Sequence, residues 1–79
     1  MNAKDTIRTL AKINDWELQV SKLSAADRIG LDPELFNLYR KRHVTVYFDK
    51  DERVADVFVN GEHSGTTLAT AERALQARP

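Results

Sequence analysis

Two β-rich runs, His43-Val44-Thr45-Val46-Tyr47-Phe48 and Arg53-Val54-Ala55-Asp56-Val57-Phe58-Val59, flank the polar tetrad Asp49-Lys50-Asp51-Glu52 and limit the available folds more than any other feature. β-branched and aromatic residues on either side of a short polar connector predict a hairpin over residues 43–60. Closing the turn by pairing Asp49 with Glu52 sets Phe48 opposite Arg53, Val46 opposite Ala55 and Val44 opposite Val57. One side then collects Val44, Val46, Phe48, Ala55, Val57 and Val59, which is a core face. The other side carries His43, Thr45, Tyr47, Val54, Asp56 and Phe58, which is more apolar than a solvated face needs to be. The expectation is therefore that something covers it: the segment 22–42, a second copy of the chain, or another protein.

The elements around the hairpin follow from periodicity and caps. Asn2 as cap, Asp5 in the first turn, and Ala3, Ile7, Leu10 and Ala11 at helical spacing predict a helix over 3–13. Trp16, Leu18 and Val20 then alternate with Glu17, Gln19 and Ser21, predicting a strand over 16–21. Ser24-Ala25-Ala26-Asp27 has capping-box form and predicts a short helical turn. Asp32-Pro33-Glu34 places a cap before a first-turn proline, and with Leu35, Phe36, Leu38 and Tyr39 predicts a helical insert over 33–41. Asn60-Gly61 is a turn, with Glu62-His63 as a stub of strand before Ser64-Gly65. A last helix over 67–77, capped by Thr67, buries Leu68, Ala71, Ala74 and Leu75. The expected fold class is α+β: a two-layer sandwich in which the terminal helices cover one face of a three-stranded antiparallel sheet with strands over 16–21, 43–49 and 53–60.

Composition narrows the function classes. The 79 residues are expected to form a single domain, 1–79. Twelve basic and twelve acidic side chains cancel, so no overall field draws the chain onto nucleic acid or an anionic membrane. The absence of cysteine removes disulfides, thiolate metal sites and a thiol nucleophile, and with the polar start Met1-Asn2-Ala3-Lys4-Asp5 it points to the cytoplasm. No run approaches the roughly 18 apolar residues of a membrane helix.

Few motifs carry chemistry. His43 and His63 stand outside any spaced ligand motif, so neither a metal site nor another cofactor is expected. Asp49, Asp51 and Glu52 lack the oxygen series and central glycine of a calcium loop and read as turn chemistry. The serines and threonines lack a glycine-flanked elbow, and no catalytic residue is assigned. Arg40-Lys41-Arg42 is the only basic cluster, next to Tyr39 and near Tyr47. Cations beside stacking rings are what a single-stranded nucleic-acid site uses, although cations also end helices by complementing the dipole.

The order helix, strand, strand, strand, helix resembles the layout of double-stranded RNA-binding domains and of HicA-type toxins, small RNA-cleaving proteins. In the HicA-type pattern a histidine opens the second strand, and His43 before Val44-Thr45-Val46-Tyr47 is similar in placement, with Lys41-Arg42 where that pattern has Gly-Ser. That resemblance implies an RNase using His43. The richness in Arg, Ala, Asp and Val also resembles small cytosolic proteins of bacteriophages, many of which bind a host protein. The leading expectation is a non-enzymatic protein-interaction module, self-associating or docking on a protein partner, with Phe36, Tyr39, His43, Tyr47 and Phe58 as contacts. The alternative is a nucleic-acid-binding domain using Arg40, Lys41, Arg42 and Tyr47.

Overall fold

The computed structural model describes residues 1–24 and 30–76. The chain runs α1 (Ala3–Ile13), β1 (Glu17–Lys22), β2 (Glu34–Tyr39), β3 (His43–Phe48), β4 (Val54–Val59), β5 (Glu62–Gly65) and α2 (Leu68–Gln76). All five strands form one antiparallel meander in the order β1-β2-β3-β4-β5. The α+β class is as expected, but the sheet has five strands rather than three. The helical turn expected at Ser24-Ala25-Ala26-Asp27 falls largely outside the described residues.

The largest correction concerns residues 33–41, expected as a helix and found as β2. The side chain of Asp32 does make the cap-like bond, accepting from the Glu34 N–H at 2.9 Å. Such an Asx bond turns the chain equally well into a strand. Leu35, Phe36, Leu38 and Tyr39 satisfy helical spacing, yet the same run is what an internal strand shows when both faces carry apolar residues. β2 pairs on both sides, Val20 to Phe36 to Val46 and Leu18 to Leu38 to Val44, and this two-sided pairing decides between the patterns.

The hairpin exists, but its register differs from the expected one by two residues. Asp49 N–H donates to the Arg53 carbonyl at 2.8 Å, and the Asp49 carboxylate accepts from Asp51 N–H and Arg53 N–H at 2.8 and 3.0 Å. The turn is therefore one residue longer than an Asp49–Glu52 closure, with Glu52 at φ 61 as the left-handed residue. A bulge then inserts one more residue, since Tyr47 pairs with Asp56 while Phe48 pairs with Val54. Two single-residue shifts restore the side-chain parity, so Val44 now faces Val59 and Val46 faces Val57, with the same valines inward. Val54 moves to the core side, and Ala55 is the extra residue.

Both helices lie on that inward side. Phe36, Leu38, Val44, Val46, Phe48 and Val57 of the sheet meet Ile7 and Ala11 of α1 and Ala71, Ala74 and Leu75 of α2, with Trp16 at the margin. Phe36 and Phe48 pack edge to face with centroids 4.9 Å apart. Each large side chain removed from water here contributes about 1.5–3 kcal/mol. The caps are as the sequence implies: Asn2 Oδ1 accepts from Asp5 N–H at 2.9 Å, and Thr67 Oγ1 from Thr70 N–H at 3.2 Å. At the far end of α2, Trp16 Nε1 donates to the Leu75 carbonyl at 2.9 Å and Arg42 Nη2 to the Ala74 carbonyl at 3.0 Å. These bonds satisfy carbonyls that a helix C-terminus leaves open. No helix among the described residues is long and apolar enough to cross a membrane.

Candidate functional site: the open face of the sheet

With both helices on one side, the other face of the sheet carries no described helix or strand. Alternation fixes its members: Glu17, Gln19 and Ser21 of β1, Leu35, Asn37 and Tyr39 of β2, His43, Thr45 and Tyr47 of β3, Asp56 and Phe58 of β4, and His63 of β5. One lateral row runs Gln19, Asn37, Thr45, Phe58, His63 across all five strands.

Two aromatic groupings stand on this surface. Tyr39 and His43, cross-strand partners on β2 and β3, stack with centroids 4.6 Å apart and planes 10° from parallel. On β3, β4 and β5, Phe58 receives Tyr47 and His63 edge to face, with centroids at 5.7 and 5.2 Å. Between the groupings lies a polar triangle. Asn37 Oδ1 accepts from Thr45 Oγ1 at 3.0 Å and lies 2.7 Å from His43 Nε2. An amide oxygen only accepts, so the His43 proton sits on Nε2. Asn37 Nδ2 donates to Ser21 Oγ at 2.9 Å, which ties β1 into the same network. His63 Nε2 meets Asp56 Oδ1 at 2.9 Å.

Of the residues singled out from sequence, Tyr39, His43, Tyr47 and Phe58 all reach this face. Phe36 does not: it points into the core and is fully buried, because its strand parity is opposite to that of Tyr39. It is withdrawn as a contact residue. Leu35, Asn37 and His63 belong to the face although sequence reasoning did not select them, Leu35 as a buried member that offers a partner little surface. Alternation within 34–39 would have found the first two had the run been read as a strand. The basic cluster is split. Arg40 and Lys41 are exposed on the β2–β3 turn beside the Tyr39–His43 stack, whereas Arg42 turns to the helix side to reach Ala74. The Arg42 bond is the dipole-complementing role of a cation at a helix C-terminus, made on α2 rather than on a helix ending at residue 41.

A second cluster closes the opposite end of the molecule. Lys4, only 5 % exposed, places Nζ 2.8 Å from Asp32, 3.5 Å from Glu34 and 3.9 Å from Glu52, and 5.3 Å from the centre of the Phe48 ring. Burial works against the Lys4 ammonium, but the hydrogen bond and charge of Asp32, with Glu52 and Glu34, outweigh it and raise the pKa above its ordinary value. Burial likewise opposes the Asp32 carboxylate, and the Lys4 hydrogen bond, the Glu34 N–H and the Lys4 charge outweigh it and lower its pKa. The partners compensate one another, so the cluster acts as a latch joining α1 to the segments before β2 and before β4. Among the described residues, no group of three His, Cys, Asp or Glu side chains is placed to hold a metal ion.

Comparison with protein-family models, curated proteins and solved structures found no match.

Proposed function

We propose that the protein acts by binding another protein through the open face of its sheet, with Tyr39, His43, Tyr47 and Phe58 as the principal contacts. One observation carries the reading: the aromatic groupings stand on the side of the sheet opposite both helices. Rigid two-torsion rings on a firm sheet lose little entropy when a partner covers them, which suits them to anchor an interface. The chemistry of the face also favours a polypeptide over a polyanion. Its charged members are Glu17 and Asp56, and no lysine or arginine rises from its strands. The partner surface is therefore of mixed apolar and hydrogen-bonding character, able to meet Tyr and Phe rings and the exposed sides of Gln19 and Thr45.

The test compares affinity-tagged wild type with Phe58→Asp, Tyr39→Ala and, on the far side of the molecule, Lys12→Glu, each recovered from the source cell. A partner protein held at constant stoichiometry by wild type and Lys12→Glu, and lost from the two face variants, is the expected result. Retention by Phe58→Asp and Tyr39→Ala would overturn the assignment. So would recovery of nucleic acid that salt releases and that depends on Arg40 and Lys41.

A further inference from the structure

The two edges of the sheet are not equivalent. At one edge β5 is four residues long, is offset by an irregularity opposite Val57 and Phe58, and ends at Gly65, where an added Cβ would run into the Thr70 side chain of α2. A short, bulged strand under a helix start is a blunted edge. At the other edge β1 has six residues, Glu17-Leu18-Gln19-Val20-Ser21-Lys22, with no proline, glycine or bulge. Among the described residues, no strand pairs with its other side, which leaves a free ladder.

Which groups face outward follows from the bond that continues the ladder. Leu23 N–H donates to the Pro33 carbonyl at 2.7 Å, in register with Lys22 opposite Glu34. Alternation then turns the backbone groups of Glu17, Gln19 and Ser21 toward β2 and those of Leu18, Val20 and Lys22 outward. Val20 is in the middle of this outward set, and its side chain is 46 % exposed on the helix side.

We infer that β1 pairs antiparallel with β1 of a second copy of this chain, about a two-fold axis through Val20. The register is self-complementary. Val20 meets the partner's Val20, and Leu18 meets the partner's Lys22, whose aliphatic stem covers it, giving on the order of six new backbone hydrogen bonds. On the other face Gln19 meets the partner's Ser21. The strand is uncharged from Leu18 to Ser21 and carries opposite charges at its ends. Antiparallel pairing keeps each Glu17 far from the other and each Lys22 far from the other. Parallel in-register stacking, the geometry of fibre growth, would superpose like charges, so the pattern favours a closed pair.

An axis perpendicular to the sheet keeps both helix layers on one side. The product is a continuous ten-stranded sheet whose two open faces are coplanar. This pairing does not depend on what the open face binds.

Sedimentation equilibrium at millimolar concentration should give twice the 9.0 kDa chain mass for wild type and for Phe58→Asp. Val20→Lys, at a position exposed enough to accept lysine, should give the single-chain mass with an unchanged far-ultraviolet spectrum. The chain has no cysteine of its own, so a single introduced thiol reports the register. Val20→Cys should form a disulfide-linked pair under mild oxidant, and Glu17→Cys should not. A wild-type chain that stays at single-chain mass would overturn the inference. A dimer unaffected by Val20→Lys, or equal cross-linking at positions 17 and 20, would do the same.

Discussion

Lys4 shows how one residue can decide the behaviour of a whole end of the molecule. Its ammonium is almost out of water above the Phe48 ring and gathers three acidic side chains, of which Asp32 is largely buried and Glu34 and Glu52 stay half in solvent. Replacing it by methionine keeps the bulk but leaves the Asp32 carboxylate poorly hydrated and uncompensated. We expect Lys4→Met to cost about 3 kcal/mol in urea unfolding, and Asp32→Asn added to it to recover part of that loss. The pH dependence has two limbs. Asp32 has a folded pKa below its ordinary 3.8, so its contribution is present above that value and is lost as pH falls through the lower folded value. Lys4 has a folded pKa above its ordinary 10.5, so its contribution is present below that value and is lost as pH rises through the higher folded one. Thermal melts should thus fall off below about pH 4 more steeply in wild type than in the double variant. Parallel acid limbs would contradict the latch.

At the scale of elements, the C-terminal end of α2 is held by groups from other parts of the chain. Trp16→Phe keeps an aromatic, though smaller, ring and removes the bond to the Leu75 carbonyl. About 1–2 kcal/mol of destabilisation is expected, with faster amide exchange confined to the last turn of α2. Uniform acceleration across the sheet would instead place the role of Trp16 in packing alone. The two turns of β4 differ in kind. Asn60 and Gly61 both have positive φ, 50° and 84°, which is the two-residue turn that asparagine-glycine favours and that was legible from sequence. The Asp49 turn was not, because its length depends on four hydrogen bonds that involve one aspartate, and its bulge depends on how Phe48 and Val54 fit under the helices. The same limit explains β2. Local spacing of Leu35, Phe36, Leu38 and Tyr39 is compatible with helix and strand alike, and what selects the strand is pairing with β1 and β3 on either side. Where patterns were local, as in α1, β1, β3 and α2, they were readable. Tyr39, His43, Tyr47 and Phe58 could be named from residue type, whereas the exclusion of Phe36 and the inclusion of Asn37 waited on strand parity.

For the whole molecule, the governing property is asymmetry across the sheet. One side is a filled core, and the other presents rings and hydrogen-bonding groups outward. The two sides should respond differently to truncation. Phe48→Ala, in the core, should cost about 3–5 kcal/mol, while Phe58→Ser on the open face should cost about 1 kcal/mol in the same unfolding experiment. Comparable losses would mean that the open face serves stability rather than docking. The most direct measurement places a photoreactive benzoylphenylalanine at Tyr47 or Phe58 and, for contrast, at Lys12 or Arg73 on the helix side, in the source cell. Irradiation should attach a second, different polypeptide at the first two positions and not at the last two. Adducts that form equally on both sides, or only at Lys12 and Arg73, would contradict the assignment of the open sheet face as the binding surface.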